Sequence, residues 1–160
     1  MHATKNDLPE AKRVALAKLL NERLADLIDL GLQAKQAHWN VKGPNFIALH
    51  KLFDEIAGET QEYVDEVAER AVALGGTAEG TLKAVSKRTT LADYSLKIVN
   101  GRDHLDAFSS ALAATGEKVR AAIDQATEIG DADSADLFTG ISRGLDKSLW
   151  FVEAHLQGES

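Results

Sequence analysis

A chain of 160 residues, 44% hydrophobic and 27% charged, has room for one domain with a substantial core. Its formal charge of −7 argues against non-specific duplex binding by the body of the protein and favours cations as partners. The absence of cysteine excludes disulfides and thiolate metal sites. No apolar run approaches the ~18 residues of a membrane span, and the start M-H-A-T-K-N-D-L-P lacks the apolar core of a signal peptide, so a cytoplasmic protein with no membrane partner is expected.

The periodicity is helical almost throughout. Leu16, Leu20, Leu24, Leu27 and Gly31 recur at threes and fours and predict a first helix from about Pro9 to Asn40, with Pro9 in its first turn. Lys42-Gly43-Pro44-Asn45 breaks the pattern. Asn45 or Pro44 then starts a second helix that runs to Leu74, before a Gly75-Gly76 stop. Residues 77–101 are less regular, with one short helical piece expected over Leu91–Ile98 between turn-like T-A-E-G and V-N-G. A third long helix from about Arg102 to Ile129 puts Leu105, Phe108, Leu112, Val119, Ile123 and Ala126 on one face. G-D-A-D-S interrupts it, and Ser134 or Asp133 is the expected N-cap of a last helix carrying Phe138, Ile141, Leu145, Leu149, Val152 and Leu156. Trp150 reads as core or interface packing. Four long helices without a strand signal predict an all-α four-helix bundle whose second and third helices are joined by a crossover.

The stretch from His38 to Glu69 concentrates metal-binding residue types: His38, His50, Asp54, Asp65 and Glu69. With each residue turning the helix by about 100° and His50 at zero, Phe46, Leu49, Phe53, Ile56, Val64, Val67 and Ala71 cluster between roughly 240° and 320°, the core side. His50, Asp54, Asp65 and Glu69 fall between about 0° and 100°, on a different face. Asp54 and Asp65 lie about 16 Å apart along the axis, whereas the ligands of one ion stand within roughly 2.0–2.6 Å of it. One straight helix cannot close such a site.

An antiparallel copy of the helix can. Asp54 and Asp65 are symmetric about the Glu59–Thr60 bond, and so are His50 and Glu69, Gly58 and Gln61, and Ile47 and Val72. The expectation is an isologous dimer with two shared sites, each holding His38, His50 and Asp54 from one chain and Asp65 and Glu69 from its partner. Mixed imidazole and carboxylate ligands suit Fe(II), with zinc or manganese as competitors. A third face, near 120° to 200°, carries Glu55, Glu59, Glu62 and Glu66 with Arg70 at its edge. It reads equally as a surface where ferric ions collect or as a solvated charged face.

The stretches K-Q-A-H-W-N-V-K-G-P-N-F, H-K-L-F-D-E and V-D-E-V-A-E-R-A-V-A-L-G-G resemble the Dps family, the mini-ferritins named as DNA-binding proteins from starved cells. A-D-L-F-T-G-I-S-R-G-L-D-K-S-L-W-F-V-E-A-H resembles that family's last helix. The resemblance spans nearly the whole chain and implies a single ferritin-like domain, a four-helix bundle with a short extra helix in the long connection. It further implies a homo-dodecameric shell built from two-fold dimers. Within it, Fe(II) is oxidised, preferentially by hydrogen peroxide, and ferric mineral is stored, which protects against oxidative damage. Residue by residue, it places the ferroxidase ligands at His38, His50, Asp54, Asp65 and Glu69, an oxidisable aromatic at Trp39, and ion pores at Asp131 and Asp136, with Asp133 beside them.

Nucleoid DNA binding is the alternative function, and it is disfavoured. The family's well-known DNA-binding members carry a longer Lys-rich N-terminal extension. Here only Lys5 precedes the first helix, Lys12 and Arg13 lie just inside it, and L-Q-G-E-S adds no basic tail. No Glu-x-x-His motif occurs, so the intra-bundle di-iron centre of larger ferritins is not expected.

Overall fold

The computed structural model describes residues 1–158; Glu159 and Ser160, the end of the non-basic C-terminal stretch, lie outside the described residues. The elements are α1 (Glu10–Asn40), α2 (Phe46–Ala73), α3 (Leu82–Arg88), α4 (Gly101–Ile129) and α5 (Ala132–Ala154). α1 packs along α2 and α4 along α5, with further contacts joining α1 to α4 and α2 to α5. Among the described residues there is no strand, only an isolated bridge between Lys42 and Asn100. No helix there is long and apolar enough to cross a membrane.

The leucine spacing of α1 buries Leu16, Leu20, Leu24, Leu27 and Leu30 against Phe53 and Ile56 of α2, Phe108 and Leu112 of α4, and Phe138 and Ile141 of α5. Each such side chain contributes about 1.5–3 kcal/mol of burial free energy. Pro9 sits one residue outside the helix, in extended backbone at the N-cap, so α1 begins at Glu10. Phe46, placed on the core side of α2, is 42% exposed instead, while Trp150, at 61%, is not core packing in the single chain, which leaves its interface reading open. Phe46 is the first residue of α2 and Trp150 lies near the end of α5, where the bundle has no further layer to cover them.

α1 is covered on a second side by the crossover, through polar residues rather than leucines. Asn21 donates to the Thr77 carbonyl at 2.9 Å and accepts from the Glu79 amide at 2.8 Å. Fully buried Asp26 accepts from the Thr90 amide (2.7 Å) and hydroxyl (3.0 Å) and pairs with Arg23 at 3.2 Å. Asp29 accepts from the Thr89 hydroxyl at 2.6 Å, and Gln33 donates to the Ala92 carbonyl at 3.1 Å. A segment without its own hydrogen-bond ladder has to satisfy its backbone elsewhere, and α1 supplies the partners.

These ties also correct the position of the short helix. It spans Leu82–Arg88, not Leu91–Ile98. Thr81 caps it by accepting from the Ala84 amide, Lys87 and Arg88 lie in its last turn, and Val85 is its one buried residue. The Leu91–Ile98 stretch is held out of a helix by its bonds to α1 and α4. The cap of α5 is corrected as well. Asp131, rather than Ser134 or Asp133, is the N-cap, because left-handed Gly130 ends α4 and turns the chain directly into Asp131. Its carboxylate accepts from the Ser134 amide at 3.3 Å.

Candidate metal centre

The tight α1–α2 hairpin brings the end of one helix beside the start of the next. His38 in the last turn of α1 and His50 in the second turn of α2 stack, ring centroids 3.8 Å apart and planes 20° from parallel. Each donates from Nδ1 to the backbone carbonyl of the other, His38 to His50 O at 2.6 Å and His50 to His38 O at 2.8 Å. A carbonyl only accepts, so each ring carries a proton on Nδ1, and in the neutral imidazole Nε2 is the atom left with the bare lone pair. That is the tautomer a metal ligand needs, held by the kind of outer hydrogen bond that orients ligating histidines.

Asp54, one turn beyond His50, stands with Oδ1 4.0 Å from His38 Nε2. The same oxygen accepts from Lys35 Nζ at 2.7 Å. This hydrogen bond holds the Asp54 carboxyl below the ordinary carboxylate value; partial desolvation opposes it, while the charge of Lys35, and those of His38 and His50 in their protonated forms, reinforce it. Asp65 and Glu69 are exposed farther along α2. Among the described residues, no three His, Asp or Glu side chains converge tightly enough to hold an ion. One chain therefore presents two poised imidazoles and a carboxylate occupied by lysine, without a closed site.

Beside this half-site, a groove of about 420 Å³ runs between α1 and α2, lined by Leu27, Leu32, Lys35, Asp54, Gly58 and Gln61. Leu32, Ile47 and Val72, all exposed, flank the same face of the hairpin.

The chain is 50% identical over 159 residues to the DNA protection during starvation protein of Agrobacterium fabrum, covering 99% of this chain and 98% of that one. A ferritin-like domain matches residues 17–159. The chain belongs to the Dps branch of the ferritin-like family. Mycobacterium smegmatis Dps in its tetragonal form superposes with a TM-score of 0.94 at 36% identity, over 99% of this chain and 96% of that one. A Dps protein of Vibrio cholerae O1, described as a member of a broad superfamily of ferritin-like diiron-carboxylate proteins, superposes with a TM-score of 0.90 at 25% identity over 98% of both chains.

In this Dps chain the other sequence-predicted residues fall into distinct places. Trp39 is exposed, with the Lys35 ammonium 5.6 Å from its ring centroid. Glu55, Glu62 and Glu66 are exposed, while Glu59 is half-buried and accepts from the Ser148 hydroxyl at 3.3 Å. Tyr63 lies among these glutamates with its hydroxyl over Gly144 of α5, where a Cβ would overlap it. Burial raises the Tyr63 phenol, and Glu59, Glu62 and Glu66 raise it further. Asp133 and Asp136 are exposed on the first turns of α5, but Asp131 is only 5% exposed. Arg70 binds Asp131 through both carboxylate oxygens, at 2.8 and 3.1 Å, and donates to the Ser134 hydroxyl at 3.1 Å.

Three participants escaped the sequence reading. Lys35 was findable, since it lies one turn before His38 on the same face of α1. Arg70 was seen only as the edge of an acidic face, and its partner Asp131 is distant in sequence. Buried His104, on the first turn of α4, carries no pattern at all.

Proposed function

We propose that this Dps protein oxidises Fe(II), preferentially with hydrogen peroxide, at sites shared across a two-fold dimer interface. The ferric product is stored inside a dodecameric shell, protecting against oxidative damage. The observation that carries this reading is the reciprocal Nδ1-to-carbonyl pairing of His38 and His50, which readies two Nε2 ligands at a site the chain itself leaves open. An antiparallel partner laid in the Gly58–Gln61 groove would bring Asp65 and Glu69 to them. The kinship with the diiron-carboxylate superfamily supports iron as the metal, and zinc or manganese would compete for the same donors.

The roles follow from the chemistry. His38 and His50 bind Fe(II) through Nε2, and Asp54, Asp65 and Glu69 supply the hard oxygen donors and the negative charge that stabilises the ferric state. Lys35 holds Asp54 until a cation displaces it. Two Fe(II) ions give one electron each, the peroxide O–O bond accepts both, and two protons convert its oxygens to water. No hydroxyl radical is released, and Trp39 intercepts stray one-electron events. Exposed Asp133 and Asp136 are better pore candidates than the capped Asp131, and Glu55, Glu59, Glu62 and Glu66 are candidates for mineral nucleation.

The competing DNA-binding reading is weakened by residues 1–8. Their start is tied to the turn after α2, where His2 N–H donates to the Gly75 carbonyl at 2.7 Å. The expected result on mixing purified protein anaerobically with Fe(II) and peroxide is oxidation faster than in buffer, with two irons consumed per peroxide, by a particle of dodecamer mass. A rate equal to that of buffer, or a monomer, would overturn the proposal.

A further inference from the structure

His104, outside the metal centre, is 1% exposed, and its Nδ1 lies 2.7 Å from the Tyr94 hydroxyl. The two rings are nearly parallel with centroids 6.0 Å apart, and Phe53 of α2 closes the pocket edge-on at 6.4 Å. Nε2 is buried without a well-formed hydrogen bond. The groups facing the imidazole are Asp103 from α4, Lys42 from the α1–α2 turn, and Tyr94 and the Ile98 carbonyl from the crossover; α2 presents the uncharged Phe53. Burial pushes the Tyr94 phenol well up, so it keeps its proton and donates it to Nδ1 of a neutral imidazole.

His104 thus fastens the last part of the crossover. After Tyr94 come Leu96 and Val99, both exposed, and then a bond from the Lys42 N–H to the Val99 carbonyl at 3.0 Å. That bond ties the crossover to the α1–α2 turn, whose flanks carry His38 and His50.

We propose that His104 and Tyr94 form an acid-sensitive latch: protonation of His104 releases residues 94–99 from α4 and from the α1–α2 turn. A protonated imidazole donates from both nitrogens, so Tyr94 loses its acceptor and must reverse its hydroxyl. A cation would also sit in an apolar pocket beside Lys42, and opening the segment hydrates it. Burial, aided by Lys42 and opposed by Asp103 and the Ile98 carbonyl, holds His104 below the ordinary histidine value. For a base depressed in the folded state, the closed latch is fully stable above the unfolded value of about 6.5 and weakens as pH falls below it toward the folded value.

The test is hydrogen exchange by mass spectrometry on the intact protein from pH 7.5 to 4.5, corrected for the pH dependence of intrinsic exchange. It requires no iron chemistry, so it stands or falls apart from the ferroxidase proposal. Peptides covering 94–99 are expected to lose about tenfold or more of their protection below pH 6.5 relative to the α2 and α4 core. In His104→Asn this step should vanish. In Tyr94→Phe, which removes the bond favouring neutral imidazole, it should move up by about half to one pH unit. Absence of the step in the wild type, its survival in His104→Asn, or an unmoved step in Tyr94→Phe would overturn the latch.

Discussion

Asp54→Asn is expected to lower the initial rate of Fe(II) oxidation by about 100-fold or more, with helical content and particle size unchanged. The fold tolerates the change because the Asp54 side chain is more than half exposed and its direct tie is to Lys35. The proposed site should not tolerate it. The amide keeps the shape of the side chain but loses its charge, and it leaves the Lys35 ammonium unneutralised where the proposed site would take a dication. Stopped-flow absorbance of ferric product measures the rate. Activity within threefold of wild type would remove Asp54 from the ligand set.

Arg70→Met should destabilise the protein by about 3 kcal/mol, because it strands a buried carboxylate. Asp131 keeps Ser134 as a partner but loses both bonds from the guanidinium. The effect is linked to pH. Burial alone would raise the Asp131 carboxyl, yet the Ser134 hydroxyl and Arg70 outweigh it and hold the carboxyl below the ordinary value. A depressed acid stabilises the folded state above its unfolded value of about 3.9, and that contribution is lost as pH falls through the still lower folded value. Urea titrations at matched protein concentration should show a constant gap between wild type and variant from pH 7 to about 5, closing below about pH 4. A gap independent of pH would place the effect in packing rather than in the ion pair.

The difference between what was legible and what was not follows from the kind of interaction. Leu16 through Leu27 and Phe108 through Val119 repeat at helical spacing because apolar burial is periodic, and the long helices could be read from them. Four of the candidate ligands, His50, Asp54, Asp65 and Glu69, could be proposed because helix geometry fixes distances along α2 and symmetry about Glu59–Thr60 makes a testable pattern; His38 lies on α1, where the hairpin stacks it on His50. The crossover itself was expected, but its path was not legible. Its course is set by single polar bonds from Asn21, Asp26, Asp29 and Gln33, which on α1 look like an ordinary solvated stripe. The short helix was therefore misplaced, since T-L-K-A-V-S-K-R has the cap and the last-turn cations while L-A-D-Y-S-L-K-I has only the apolar spacing. The ion pair of Asp131, a pore candidate, was not legible for a related reason: Arg70, its partner, is 61 residues away.

That the metal centre is shared between two subunits can be tested by mixing Asp54→Asn and Asp65→Asn proteins. Each homodimer would lack a ligand in both sites, whereas a mixed dimer would carry one doubly defective site and one intact site. After dissociation and reassembly of an equimolar mixture, half the dimers are mixed, and the iron oxidation rate should recover to about a quarter of wild type. Recovery to that level is the predicted result. A mixture no more active than its two parents would contradict a site built from two chains.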